Sequence, residues 1–547
     1  MRIFLLTAFI CLFTGTQAQD GGEVSSMEVI IEKDAEISLP ESNRQFQRIS
    51  EEKIVFDSLI LSNKTYETLE TEVDPFDLKY KALNFENTNK RLWKPNYLKF
   101  GLGNSSNVLV EGAYNIDAKK AGHYSAFGSY DRFGRGPVDG KASKFSDLQI
   151  NAKSYHSYNK LSVNSKIDFL NNNFRFYGTP TGSVDLNDNP SINVRSFQLS
   201  TNLEGNRFDN IYFSIAPTFT ETNFLEAGNL FNEETIFKTK GIVRKKSKKN
   251  EWNYGVGLDQ RQVSYTSGYS NSRSQFDIAP FVGLRGDYVT IKTGMTATLS
   301  KDSTNGQVNS NFYPSLDLTW NFDNQFTIYG TFSSGLEMVT LHQLQFHNAF
   351  LSDSLNLANR NVLADVKVEV SKRFNKNTYL KFGTRIELVE NQFFLVNDTV
   401  DFRKFNMIYD PGTFTKIDFN LLFDFAISEK ISVNSEVHFM RYNTSANIEP
   451  FHLPSFTYDL KASYFLSQNF RIGLDFNLIA GINGRGINLT SVALDPIVDI
   501  GINANYKLND RIELFFEANN LINQNYERYL NYPSLGLNGK FGFIFRF

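Results

Sequence analysis

Ile497-Val498-Asp499-Ile500-Gly501-Ile502-Asn503-Ala504-Asn505-Tyr506-Lys507-Leu508 alternates apolar and polar side chains with a period of two. Val498, Ile500, Ile502, Ala504, Tyr506 and Leu508 fall on one face, and Asp499, Asn503, Asn505 and Lys507 on the other. The pattern returns where Ile512, Leu514, Phe516 and Ala518 oppose Glu513, Glu517 and Asn519, and again where Phe541, Phe543, Phe545 and Phe547 oppose Lys540, Gly542 and Arg546. A two-residue period marks a strand whose two faces meet different environments. Open sheets rarely exceed about ten strands, yet this alternation runs back to Asn96. The pattern predicts an all-β fold, a closed transmembrane up-and-down antiparallel barrel with lipid outside and water inside.

Composition points the same way. The 547 residues include 51 Phe and 25 Tyr, yet mean hydropathy is −0.33. No stretch beyond the N-terminus is long and apolar enough for a membrane helix. In a transmembrane barrel only alternate residues face lipid, and rings gather at the interfaces. A net charge of −3 gives no reason to expect nucleic acid as a partner. The single cysteine, Cys11, removes thiol nucleophiles, Fe–S clusters and thiolate zinc sites from the mature chain.

Residues 1–18 read as a secretory signal peptide, with Arg2, an apolar run, and Thr16 and Ala18 before Gln19. Residues 19–94 form an acidic leader with little sustained alternation, and no glycine lies between Gly22 and Gly101. A folded plug needs tight turns and close backbone contacts, both of which call for glycine, so no plug fold is expected there. Glu28, Val29, Ile30 and Ile31 form a strand-capable stretch that could add to a partner's sheet edge; an extended leader segment accounts for the same residues.

From residue 95 to 547 the alternation divides into about 22 strands, among them 160–170, 209–220 and 235–246. Connections after even-numbered strands are short turns such as Gly286-Asp287, Asp323-Asn324 and Asn509-Asp510, whereas 132–145, 171–194, 335–360, 389–414, 443–454, 481–496 and 521–537 are long. Short periplasmic turns and long external loops segregate in this way, and an even strand count puts both termini in the periplasm. A charge facing hydrocarbon at mid-depth costs about 2–4 kcal/mol. Lys367 and Glu369, Lys381, Arg385 and Glu387, and Asp459 and Lys461 are therefore expected to face the lumen, as a solvated wall of mixed sign.

Asn519-Asn520-Leu521-Ile522-Asn523, followed by Tyr526-Glu527, Tyr532-Pro533 and the closing strand, resembles the end of TonB-dependent outer-membrane receptors. Tyr97-Leu98-Lys99-Phe100-Gly101-Leu102-Gly103, and the segment from His123 through Arg135-Gly136-Pro137-Val138-Asp139 to Phe174-Arg175-Phe176-Tyr177-Gly178, resemble a plugless branch of such receptors found in Bacteroidota. The resemblance implies a 22-stranded outer-membrane barrel. Members of the main family carry a glycine-rich plug between their coupling box and the barrel; here the only candidate for such a box is Glu28-Val29-Ile30-Ile31.

No nucleotide loop, zinc motif or nucleophile–base pair is present, and neither enzymatic activity nor a cofactor is expected. Asp185, Asn187 and Asp188 supply oxygen ligands of the kind calcium takes, although an Asx-rich turn uses the same residues. A barrel of this width must be filled or narrowed, and the leader and the loops 335–360 and 389–414 are placed to do so. The expected function is receptor-like solute transport or its gating, through outer-membrane lipid, with a TonB-type periplasmic coupling protein or surface lipoproteins as partners. The alternative is a non-conducting scaffold subunit of a larger outer-membrane complex.

Overall fold

The computed structural model describes residues 96–547, apart from 119–121, 139, 179–189, 209–210, 248–250, 268, 302–306, 324, 446–447 and 487. The signal peptide, the leader with Glu28–Ile31, and the Asp185-Asn187-Asp188 run lie outside the described residues.

The described chain forms one 22-stranded antiparallel sheet in which Tyr97–Gly103 pairs with both Asn107–Asp117 and Asn538–Arg546, closing the barrel. Along the first strand Leu98, Phe100 and Leu102 point outward and are exposed, while Lys99 points inward to Glu517 at 2.8 Å. Ile502, Tyr506, Phe516, Phe541, Phe543 and Phe545 continue the exposed apolar face around the seam. A water-soluble domain does not expose a continuous apolar surface of this kind.

The seam shows why these residues close the sheet. Gly101 lies opposite Gly542, and Gly542 opposite Phe515. The buried Phe515 ring fills the space that Gly101 leaves, with the Lys99 ammonium 4.2 Å from its centre. Lys540 then bridges Asp131 at 3.1 Å and Glu517 at 3.7 Å. A Cβ on Gly542 would lie 1.9 Å from the Phe100 carbonyl oxygen and 2.7 Å from the Gly101 Cα, contacts with backbone that cannot turn aside. Gly542→Val is therefore expected to cost up to about 3 kcal/mol through overpacking. It should lower the yield of the folded, heat-modifiable species on unboiled gels, and a wild-type yield would rule this out.

The long connections all lie at one end, which they share with a few short ones, and the other end carries only short turns. Asn159-Lys160, Lys376-Asn377, Glu429-Lys430 and residues 508–511 turn at one end, and residues 339–358, 391–412, 444–455, 481–496 and 520–537 cross at the other. At this long-loop end several strands outrun the apolar alternation. The strand read as 160–170 extends to Arg175, that read as 209–220 to Glu226, and that read as 235–246 begins at Asn229. In these extensions Asn171-Asn172-Asn173 and Asn232-Glu233-Glu234 keep the backbone ladder without an apolar outer face, so side-chain period does not reveal them. The last two extended strands meet in a tight turn at Ala227 (φ 49°) and Gly228 (φ 89°). The long loops also carry structure of their own: helix α1 (Leu341–His347) and the hairpins 393–397/405–409, 483–485/491–493 and 527–529/532–533.

Candidate functional site

The long loops fold over the mouth and share a core with the barrel wall. Helix α1 is placed first. The Thr340 hydroxyl accepts from the Gln343 amide at 3.2 Å, and the buried Glu234 carboxylate, on the wall, accepts from the Leu341 and His342 amides at 2.9 Å each. Together these satisfy helix N–H groups that have no partner within the helix. His342 Nδ1 lies 3.0 Å from the hydroxyls of Ser196 and Thr222 on adjacent strands, which fixes the helix against the wall.

Around this anchor Leu341, Leu344, Leu351 and Leu355 from one loop pack with Phe174, Phe176, Ile192 and Phe224 from the wall and with Leu395, Phe405 and Tyr532 from two further loops. Tyr532 is the hub. Its ring stacks on Phe350 at 3.9 Å and meets Tyr177 at 4.9 Å and Phe405 at 5.7 Å, while its hydroxyl donates to the Arg403 carbonyl. The Asn520 side chain braces the same loop, donating to the Gln524 and Leu535 carbonyls and accepting from the Gln524 amide. Asp499 binds the Asn520 amide and the Tyr526 hydroxyl. The Asn519–Asn523 run thus holds the loop that delivers Tyr532.

His452 ties the cap's centre together. Its Nδ1–H donates to the Leu395 carbonyl at 2.7 Å, and its Nε2 accepts from the Leu530 amide at 3.2 Å. These two bonds fix one neutral tautomer. The Arg528 guanidinium donates to the His452 carbonyl at 2.8 Å. Burial pushes the imidazole down to about 4; the nearby guanidinium adds to this and the bond to Leu395 opposes it.

Beneath the cap lies a cavity of about 690 Å³. Lys238, Arg261, Arg360 and Lys416 line it from the wall, with Glu337 and Glu387, while Phe393, Phe394, Phe451, His452, Arg528 and Tyr529 line it from the cap. Arg360 bridges Glu337 and Glu387 at 2.5 Å each, Arg261 reaches Asp259 at 2.8 Å, and Lys416 lies 3.9 Å from Asp418.

The charged positions singled out from the sequence fall into local pairs. Glu369 meets Lys367 at 2.9 Å and Lys381 at 3.1 Å, Arg385 chelates Asp365 at 2.7 and 2.9 Å, and Glu387 holds Arg360. Asp459 accepts from Asn477, and Lys461 lies in register between Asn434 and Asp475. Of the positions singled out from the sequence, only Glu387 lines the cavity. The sequence reading missed Glu234, His452, Arg528 and Lys238. Charge on an alternating strand was a usable signal for Lys238, whereas Glu234 lies in a strand extension that the period does not reveal and the two loop residues belong to no periodic pattern. Among the described residues no cluster of three His, Cys, Asp or Glu side chains is arranged to hold a metal ion.

No family model matches the chain, and no curated protein is similar to it in sequence. Solved structures are similar in fold. The FrpB iron transporter of Neisseria meningitidis (F3-3 variant) superposes with a TM-score of 0.64 at 12% identity, covering 84% of this chain and 83% of that one. The siderophore receptor PiuA of Acinetobacter baumannii gives 0.62 at 10% identity, covering 83% and 82%. The pyoverdine outer membrane receptor FpvA of Pseudomonas aeruginosa, bound to pyoverdine, gives 0.63 at 10% identity, covering 83% and 78%. The described barrel shares the fold of these receptors and this transporter, and at such identities fold is what the likeness carries.

Proposed function

We propose that this chain is an outer-membrane barrel of the TonB-dependent receptor-like kind that mediates or gates the passage of a solute, with its long loops outside the cell and both termini in the periplasm. The exposed apolar outer face suits lipid, and the ion-paired inner rows suit water. The observation that carries the reading is the cavity of about 690 Å³ that the inward-folded loops roof over inside the wall. It is a chamber of solute size behind a structured cover, in a fold that receptors and a transporter share. We assign the plugless branch on the glycine-poor leader, and Glu28–Ile31 as the stretch a TonB-type periplasmic protein would engage.

The test is single-channel conductance and solute uptake in bilayers containing the full mature protein or a version lacking residues 19–90. Ion or solute passage in either preparation is expected. Passage in neither, from protein shown to be folded and inserted, would overturn the transport reading.

A further inference from the structure

We infer that the cavity beneath the cap binds an organic anion with a flat, unsaturated body, a substrate class that rests on the transport reading given above. The first observation is unbalanced charge. Lys238 lies opposite Arg261 on the neighbouring strand, and Lys240 follows two residues along on the same face. Like charges set opposite each other across a sheet repel. Asp259, opposite Lys240, is taken by Arg261 at 2.8 Å, with Lys240 at 3.9 Å, and Asp277, opposite Asp259 on the next strand, accepts from Gln275 and Thr298. The cavity's own acids, Glu337 and Glu387, are both held by Arg360, and Asp418 by His438 at 3.0 Å with Lys416 beyond. Among the described residues, then, no carboxylate lies within ion-pairing distance of Lys238. Arg528, which reaches the same cavity from the cap, has none either.

The second observation is the aromatic share of the cavity lining. Phe393, Tyr442 and Tyr529 present partly exposed rings to the cavity, backed by the buried Phe394, Phe414 and Phe451. The two tyrosine hydroxyls already donate elsewhere, Tyr442 to the Pro454 carbonyl and Tyr529 to the His347 carbonyl. They therefore offer the cavity ring surface, which favours flat, polarisable groups. A negative group in the cavity gains charge-assisted hydrogen bonds from Lys238 and Arg528, neither of which has a described carboxylate within ion-pairing distance, and beside Lys238 it relieves the repulsion along that row.

The test is equilibrium dialysis of naphthalene-1-sulfonate, with 1-naphthalenemethanol as its neutral counterpart, against the full mature protein in lipid nanodiscs. The sulfonate is expected to bind at least about tenfold more tightly than the alcohol. Lys238→Gln and Arg528→Gln should each weaken sulfonate binding by about tenfold, Lys238→Arg should keep it, and alcohol binding should stay constant throughout. Equal affinity for the two probes overturns the inference, as does undiminished sulfonate binding in the Lys238→Gln/Arg528→Gln double variant. The comparison of probes on the wild-type protein decides the matter even where a variant fails to fold. Solute passage without this selectivity would remove the anion site alone, whereas selective binding by a barrel that passes nothing would remove the transport reading alone.

Discussion

Replacing Tyr532 with alanine is expected to speed amide exchange in residues 339–358 and 391–412 by roughly two orders of magnitude while leaving the barrel strands protected. The two loops pair directly, the Phe405 amide donating to the Phe350 carbonyl at 2.7 Å and the Ser352 amide to the Phe405 carbonyl at 2.8 Å, and this ring packs against both. Phe350 of the first stacks on one side of it, and Phe405 of the second approaches from another direction. The hydroxyl also holds the Arg403 carbonyl, and burial keeps the phenol well above its ordinary pKa, so it remains a donor. Truncating a buried aromatic of this size costs about 3–5 kcal/mol. The cost falls on the cap because the strands keep their own ladders. Gly178→Ala should reproduce the effect from the other side, since a Cβ there would sit 2.1 Å from the Tyr532 ring. Hydrogen exchange read by mass spectrometry decides it: unchanged protection of both loops in Tyr532→Ala would show that the ring is not what holds them in the cap.

The barrel was legible in the sequence because lipid and water impose opposite demands on successive side chains, so Phe541, Phe543 and Phe545 had to alternate with Lys540, Gly542 and Arg546. Where that demand ends, legibility ends. Asn171–Asn173 and Asn232–Glu234 extend strands whose outer faces no longer need to be apolar, and they read as loop. The cap was hidden for a different reason. Phe350, Leu395, Phe405, His452 and Tyr532 come from four separate loops and form one core only after the barrel has brought their ends together. No spacing along the chain records that Tyr529 bonds to the His347 carbonyl, 182 positions away. Tyr532-Pro533 drew notice as part of a family-like run, but its packing role needed coordinates. The charges expected to face the lumen stand out in the alternation as a set, because hydrocarbon excludes them, yet their pairing depends on strand register. Lys367, Glu369 and Lys381 form one group because the strands Asn359–Asn375 and Thr378–Glu390 pair in the observed register.

Acidification is expected to open the cap, through His452. In the closed cap its Nδ1–H serves the Leu395 carbonyl and its Nε2 lone pair serves the Leu530 amide, so a second proton has no place without breaking the latter bond. Arg528 adds a positive charge nearby. The closed form therefore takes up a proton only near pH 4, whereas the imidazole in an opened loop does so near its ordinary value of 6.5. Because the folded value is the lower one, the open form binds more protons between these limits. The histidine's contribution is fully present above about pH 6.5, declines as pH falls through the window, and is gone below about pH 4. The difference amounts to roughly 3 kcal/mol, or an opening equilibrium more than about 100-fold larger at the acid end. Amide exchange of residues 520–537, corrected for the intrinsic pH dependence of exchange, should follow that curve. His452→Gln, which keeps a donor and an acceptor but does not titrate, should flatten it. An equally steep acid response in His452→Gln would place the sensitive group elsewhere in the cap, with His342, whose imidazole burial also lowers, the next group to replace.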